Sequence, residues 1–538
     1  METFDYVIVG AGSAGSVLAN RLSESGRFRV LLLEAGGSDR SLWIQMPIGY
    51  GKIFHDARVN WKYITEPVPG LDNTRSYWPR GKVLGGSSSI NAMVYVRGHP
   101  RDYAEWQAVA PGWGWDGVAP VFKRMEDWDG PSDPTRGTGG PLPVHDVTRE
   151  VHPLTRLYLT AADQAGIPTN PDYNGPEMEG ATCYQITTKG GFRASTARSY
   201  LKPARKRVNL DIRTRAHVTR VLFEGRRAIG VEYRQNGQTK TVGARAEVIL
   251  SGGAINSPQL LQLSGIGPGG VLQNHAIPVL HEAPNVGRNL QDHLGADNYF
   301  ISKVPSLNKD LRPLFGKVKA ALHYALLRKG PLSLSLNQGG GFVKLHEDSQ
   351  GPDLQLYFSP VSYTRAPVGV RPLMNPDPFQ GFLMGFNPCK PTSVGHLQIK
   401  SPDPMVAPDL HPNYLDTDHD RAMMLAGTKL MRHIAGMPAL NAVIDSELLP
   451  GTDIQSDEAI ATYLRQHAWT VFHQCSTCRM GQDAATSVVD PNLRVHGTDS
   501  LRVADASIFP SIPSGNTNAP AIMVGEKASD LILHSAKG

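Results

Sequence analysis

Apolar and polar positions along this chain follow two periods, and the switches between them mark its elements. Residues 4–9 form a short β-branched and aromatic run, followed by glycines at 10, 12 and 15 and then by helix-like spacing over residues 16–22. A second apolar run, residues 29–33, ends in Glu34. Strand, glycine turn, helix and strand in this order predict a βαβ unit at the N-terminus. Further on, residues 352–358 and 395–400 alternate as half-buried strands, and residues 420–435 have helical spacing. An amphipathic helix is predicted over residues 521–533, with Asn518 as its N-cap and Pro520 in its first turn.

Composition narrows the class. A chain of 538 residues with 40% hydrophobic and 19% charged residues is too long for one simple core and predicts two or more globular domains. The formal charge of +5 is spread along the chain rather than gathered into runs, so no nucleic-acid partner is expected. No stretch approaches the ~18 apolar residues of a membrane span, and the strand pattern begins almost at once. A cytoplasmic protein is expected, at most peripheral to the inner membrane. Four cysteines, Cys183, Cys389, Cys475 and Cys478, are too few for a disulfide framework. The spacing of Cys475 and Cys478 has no second ligand pair, so ordinary thiols are expected and no metal site.

The glycine turn carries chemistry. Gly10 permits the tight turn, Gly12 lets backbone N–H groups approach a pyrophosphate, and Gly15 lets the helix pack close to the strand. The N-terminus of the helix that follows supplies partial positive charge to the phosphates, and Ser13 and Ala14 in the glycine turn are expected cofactor contacts. Glu34, about 20 residues on, can accept ribose hydroxyls, which favours FAD or NAD over NADP. A second small, polar segment, residues 79–92, can line a ligand at close range through its backbone N–H groups. Near the C-terminus, residues 501–520 place a helix N-terminus after a polar loop, a site for negative charge at the edge of a reduced flavin. Nicotinamide would not need such a site. The expected cofactor contacts also include Ala35, Gly81, Val83, Gly86, Ser87, Asn91, Ala92, Val94, Val218, Ala504, Asp505, Ala506, Asn516, Asn518 and Ala519.

Together these segments resemble the glucose-methanol-choline (GMC) oxidoreductases. The resemblance runs through FDYVIVGAGSAGSVLANRLS, PRGKVLGGSSSINAMVYVRG, SGGAINSPQLLQLSGIGP, NVGRNLQDH, FHQCSTCRMG and VADASIFPSIPSGNTNAP, nearly the whole chain. It implies an α/β, Rossmann-like FAD-binding domain and an interleaved α+β substrate-binding domain built on an antiparallel sheet. The expected FAD domain comprises residues 1–155, 196–298 and 468–538, and the substrate domain residues 156–195 and 299–467. The segment at 253–258 resembles a family signature and is expected to be mainly structural. Residues 39–53 and 60–63, rich in apolar and aromatic side chains, resemble the lid over the family's active site. Some members tether FAD through a histidine in the second glycine segment; Ile90 stands at the matching place, so non-covalent FAD is expected.

Oxidising an alcohol by hydride transfer to flavin N5 requires a base for the hydroxyl proton. The resemblance assigns that base to His473 and its orienting partner to Asn516. Where the family pattern has Pro-Val-Gly after the histidine, this chain has Gln474, Cys475 and Ser476, a departure expected to reshape the flavin edge or pocket floor. His467 reads as a helix-end residue. The motif style is closest to bacterial choline dehydrogenase-like, sorbose, aliphatic-alcohol and polyethylene-glycol dehydrogenases. A neutral alcohol is the expected substrate and a quinone-like or other carrier the expected acceptor, with oxygen an alternative. Choline would call for a buried carboxylate and an aromatic cage. Choline oxidation and a non-redox hydroxynitrile lyase are the alternative activities. A flavin-binding protein without catalysis is disfavoured because His473 and Asn516 occur together.

Overall fold

The computed structural model describes residues 1–364 and 375–536; residues 365–374, within the expected substrate domain, and the last two residues lie outside the described residues. The N-terminal pattern gives strand Thr3–Val9, helix Ser13–Ser23 and strand Val30–Glu34. The helix begins one turn earlier than its apolar spacing indicates, at the glycine turn itself. Val30–Glu34 is buried at every position, as expected of a strand covered on both faces. It lies between Thr3–Val9 and Leu210–Thr214, all parallel.

On its other edge, Thr3–Val9 pairs in parallel with the long strand Gln238–Leu250. The end of that strand pairs in parallel with Leu501–Val503, and its beginning folds back antiparallel on Arg227–Gln235, which continues to His217–Glu224. The carboxyl ends of the parallel strands therefore gather at one rim, where an open α/β sheet places ligands. Helix Ser13–Ser23 packs on the C-terminal helix Asn518–Ser535. Their contact is tied by the buried Glu526, which accepts from Arg21 at 2.9 and 2.8 Å, from Tyr200 Oη at 2.8 Å and from Arg124 at 3.3 Å.

The second sheet is antiparallel, in the order Ile444–Leu449, Leu294–Ser302, Gly381–Pro388, Leu354–Ser359, Gly339–Val343, Gly180–Cys183, with Trp469–Thr470 added to the start of Leu294–Ser302. The chain is thus an α/β domain with an interleaved α+β domain on an antiparallel sheet. Hydrogen bonding moves the domain limits read from sequence. A limit at 298 cuts strand Leu294–Ser302, and one at 155 cuts helix Pro153–Gln164, which packs on the second sheet. Trp469–Thr470 belongs to the second sheet although it falls in the span 468–538. The alternating residues 395–400 contribute only His396–Gln398, paired with Asp409–His411 in a separate ribbon. The helix expected over residues 420–435 is Asp418–Ala435, capped by the Thr417 hydroxyl, which accepts from Asp420 N at 3.2 Å.

The first strand and helix approach so closely that a Cβ on Gly15 would stand 1.9 Å from the Gly10 carbonyl oxygen. Gly15→Ala is expected to lower thermal stability by ~1–3 kcal/mol through overpacking. Gly270→Ala, where a Cβ meets nothing within 4 Å, should leave the melting temperature near that of the unaltered protein.

Candidate active site

A cavity of about 320 Å³ runs from the carboxyl rim of the parallel sheet to the face of the antiparallel sheet. Val9, Leu33, Glu34 and Leu250 line one end, and Asp297, Tyr357 and Leu383 the other. Of the residues expected to hold the cofactor, Gly10, Gly12, Ser13, Ala14, Glu34, Ala35, Gly81, Gly86, Ser87, Asn91, Ala92, Val94, Val218, Asp505, Ala506, Asn516 and Asn518 line it. Four others, Gly15, Val83, Ala504 and Ala519, do not line it. Gly15 faces Gly10, as above. Val83 is buried among Ile44, Ile53, Val59 and Ile90. The Ala504 carbonyl is taken by Ser251 Oγ at 2.9 Å, and Ala519 is buried in the first turn of the final helix. Within segment 253–258, expected to be mainly structural, residues 253–257 line the cavity, as do Ser251 and Gly252 before it.

Two of the helices that open on the cavity lack a side-chain cap. Ser13–Ser23 follows Gly12, and Asn518–Ser535 follows Thr517, neither with a capping hydrogen bond. Asn518 is therefore the first helical residue and not the N-cap. Its Oδ1 accepts from Ser13 Oγ at 2.7 Å, which joins the two helix starts. A Cβ on Gly12 would meet nothing nearer than 3.9 Å, so the approach to that helix N-terminus is open. Uncapped N–H groups at two helix ends fit a dinucleotide that brings negative charge to both. Gly86 touches the same place, with its Cβ position 2.7 Å from Gly12 Cα, which brings the second glycine loop against the first.

Two expected ligand contacts are already engaged with the chain. Glu34 accepts from Ala11 N at 2.9 Å and Gly36 N at 2.7 Å, and burial raises its carboxyl to about 7 against the pull of these N–H groups. Asp505 accepts from Gly253 N at 2.8 Å, Ser257 Oγ at 2.6 Å and Ser507 N at 2.7 Å, pinning two cavity walls together.

His473 and Asn516 meet at the wall of the cavity: Asn516 Nδ2 lies 3.0 Å from His473 Nε2. Asn516 Oδ1 accepts from Gln355 Nε2 at 3.0 Å, which turns the amide so that its Nδ2 faces the imidazole. On the far side of the ring, His473 Nδ1 lies 2.9 Å from His293 Nδ1, and His293 Nε2 lies 3.0 Å from the Cys389 carbonyl oxygen. A carbonyl can only accept, so neutral His293 carries its proton on Nε2 and accepts at Nδ1. His473 then carries its proton on Nδ1 and presents the Nε2 lone pair to Asn516 and the cavity. Burial holds both rings neutral, His293 at about 4 and His473 well below the usual imidazole range, with His293 and Arg80 adding to the effect on His473.

The backbone under His473 is equally constrained. Buried Asp292 accepts from His473 N at 2.7 Å, Thr470 Oγ1 at 2.5 Å and Gln474 Nε2 at 2.8 Å, and also from the Tyr414 hydroxyl. Arg80 donates to the Phe472 carbonyl. After the histidine, Ser476, Cys478 and Met480 pair through their N–H groups with the carbonyls of Ala506, Ser507 and Ile508. Gln474, the first departure from the family pattern, lines the cavity and is held by Asp292. Cys475 and Cys478 are buried free thiols, as are Cys183 and Cys389. His467 ends helix Asp457–His467 and stacks on Tyr463 at 4.3 Å.

The GMC oxidoreductase family model matches residues 4–295, and its C-terminal counterpart matches residues 391–525. This chain is a GMC oxidoreductase. It is 42% identical to the alcohol dehydrogenase [acceptor] of Pseudomonas putida, over 98% of this chain and 96% of that one. It is also 42% identical to the oxygen-dependent choline dehydrogenase of Photobacterium profundum, over 99% and 93%. Among solved structures it resembles pyridoxine 4-oxidase from Mesorbium loti, with a TM-score of 0.88, 33% identity and 98% and 99% coverage. As a GMC oxidoreductase the chain is an FAD-dependent enzyme acting on CH–OH donors.

Sequence reasoning quoted His293 within a GMC motif without giving it a role, and it missed Asp292 and Gln355 as supports of the site. Gln355 gave no signal of its own: in the alternating pattern of residues 352–358 it stands at a polar position, whereas the strand Leu354–Ser359 is buried throughout. Removing His293 leaves the His473 Nδ1 proton buried without its acceptor. His293→Ala is expected to keep its bound flavin while the rate of anaerobic flavin reduction falls about 10- to 100-fold, with a changed pH profile.

Proposed function

We propose that this chain oxidises a neutral alcohol to its aldehyde or ketone with His473 as the base, Asn516 as the orienting donor and non-covalently held FAD. The observation that carries the reading is the meeting of His473 and Asn516, with His473 Nε2 3.0 Å from Asn516 Nδ2 at the cavity wall. A substrate hydroxyl in front of this pair gives its proton to Nε2 and accepts from the Asn516 amide as alkoxide character grows. When bound, FAD supplies the acceptor for the hydride that leaves the carbinol carbon.

Because burial keeps His473 neutral, the ring is ready to take a proton across the neutral range. The His473 Nδ1–H stays bonded to neutral His293, and Asp292 holds the loop as charge develops. Tyr50, Phe54, Val471 and Phe472 supply apolar wall around the reacting pair, which suits an uncharged substrate and excludes water.

For the cofactor, Gly10, Gly12, Ser13 and Ala14 would face the pyrophosphate, and Glu34, Ala35 and Val218 the adenosine end. Gly81, Gly86, Ser87, Asn91, Ala92 and Val94 would run beside it, with Asp505, Ala506, Asn516 and Asn518 at the flavin ring. The alkyl side chain of Ile90 lines the cavity and has no lone pair to form a tether, which supports non-covalent binding. A quinone-like carrier is the proposed acceptor. A second reading, a choline-type alcohol, draws on Asp297, Tyr357, Tyr363 and Trp469 in the same cavity and on the choline dehydrogenase relative.

The reading is tested by anaerobic titration of the yellow protein with aliphatic and polyether alcohols and choline, followed by air and then a quinone analogue. Bleaching by a neutral alcohol with fast recovery on quinone is the expected result. Bleaching by choline alone transfers the assignment to the second reading, and a flavin that stays oxidised while a hydroxynitrile is cleaved overturns both. His473→Ala should slow flavin reduction about 100- to 10,000-fold with FAD content unchanged.

Glu34 gives a pH dependence. Its folded-state pKa of about 7 lies above the unfolded value, so its contribution to apoprotein stability is present below that unfolded value and lost as pH rises through about 7. Ribose hydroxyls donate to the ionised carboxylate, so FAD affinity should change in the opposite sense. Fluorescence titration of the apoprotein should show FAD binding about tenfold tighter at about pH 8 than at about pH 6. Glu34→Gln should flatten that dependence.

A further inference from the structure

Sixteen large apolar side chains are exposed among the described residues, and six of them lie on one helix, Leu314–Leu327. This helix touches the protein along a single stripe. Its buried residues are Gly316, Ala320 and Tyr324, spaced by four, and Tyr324 Oη anchors it by donating to the Gly191 carbonyl at 2.9 Å. At about 100° per residue, Leu314, Val318, Leu322, Phe315 and Leu326 fall in an arc of about 120° directly opposite that stripe. Leu314, Phe315 and Leu326 are 79%, 82% and 78% exposed. The apolar face of this amphipathic helix therefore points away from the protein, the reverse of what core packing asks of a surface helix.

Charge defines what can cover it. Lys317 lies at one margin of the apolar arc, and Lys319 and His323 lie at the other. Lys309 and Arg312 precede the helix, Arg328 and Lys329 follow it, and Asp310 is the sole acid from residue 309 to 329. Two copies docked through this face would bring lysines against lysines with no acid on the helix itself to pair them. An apolar centre with a basic margin matches instead the acyl boundary and headgroups of an anionic lipid surface, where lysine stems lie along apolar surface and their amines reach phosphate. At 14 residues the helix is too short to span, and no helix among the described residues is long and apolar enough to cross a membrane.

We propose that helix Leu314–Leu327 is the surface by which this protein docks, lying in the plane of the interface, on an anionic phospholipid bilayer. Behind it, Leu307, Leu311, Ala320 and Tyr324 share one apolar cluster with the cavity-lining residues Tyr50, Tyr363 and Leu383. Docking thus sets the substrate end of the cavity next to the membrane. There, on the redox reading proposed above, a bilayer-dissolved alcohol and quinone-like acceptor are concentrated.

The test is co-sedimentation of the holoprotein with phosphatidylglycerol vesicles and with phosphatidylcholine vesicles. Alcohol-dependent flavin bleaching and turnover with a water-soluble dye acceptor are measured on the same samples. The holoprotein is expected to pellet with phosphatidylglycerol and much less with phosphatidylcholine. The combined variant Phe315→Ser, Leu322→Ser, Leu326→Ser should bind at least about tenfold more weakly, and Lys317→Glu with Lys319→Glu should also weaken binding. All samples should keep their FAD, bleaching and dye turnover. Vesicle binding without bleaching would sink the redox reading and leave the docking intact. No binding to phosphatidylglycerol, or binding indifferent to the serine variant, overturns the docking. So does a dimer in solution that the serine variant dissolves, because the face then joins two copies.

Discussion

The site rests on two adjacent side chains, Asp292 and His293, that hold the His473 loop from behind. Asp292 is a buried carboxylate whose burial raises its pKa, and it is satisfied by N–H and O–H donors from the loop it holds: His473 N, Thr470 Oγ1 and Gln474 Nε2. A buried anion left short of donors is costly, so these bonds fix the loop backbone as firmly as they satisfy the charge. His293 acts on the ring. The Cys389 carbonyl sets one tautomer, that tautomer sets the next, and the Nε2 lone pair of His473 is left facing the cavity. From the other direction Gln355 does the same for Asn516, so each member of the reacting pair is oriented by a group on the antiparallel sheet or beside it.

The cofactor half of the cavity follows an opposite rule. There two helices start without side-chain caps, beside the space where strands Thr3–Val9 and Val30–Glu34 end. The Ser13–Asn518 bond brings these starts together. Helix starts of this kind suit a ligand that carries negative charge to both.

The two sheets contribute different chemistry because they meet the cavity differently. Parallel strands present their ends, hence turns, N–H groups and close backbone approach. Antiparallel strands present a face, hence alternating side chains such as Gln355 and Tyr357. The apolar cluster behind Tyr50 and Leu383 extends from that face to helix Leu314–Leu327, so the substrate end of the cavity and the most apolar exposed helix share one packed body.

The sequence by itself determined the parts whose physics is local. The glycine turn, the buried run ending in Glu34 and the FAD class were legible from spacing and from motifs spread along nearly the whole chain, and the family resemblance pointed to His473 and Asn516, whose meeting at the cavity wall belongs to the fold. Short-range signals misled where a side chain found a distant partner. Asn518 has the form of an N-cap, but its oxygen is taken by Ser13, 505 positions away in the chain. Domain limits drawn by analogy cut strand Leu294–Ser302, since pairing with Gly381–Pro388 and Trp469–Thr470 is not written in its own pattern. The tautomer of His473 was equally beyond the sequence, because it depends on His293 across 180 positions and on a backbone carbonyl, a group every residue carries. Residue identity supplied the chemistry. Only the fold decided which groups stand within hydrogen-bond distance, because a proton's position on a ring is set by its neighbours and not by the ring itself.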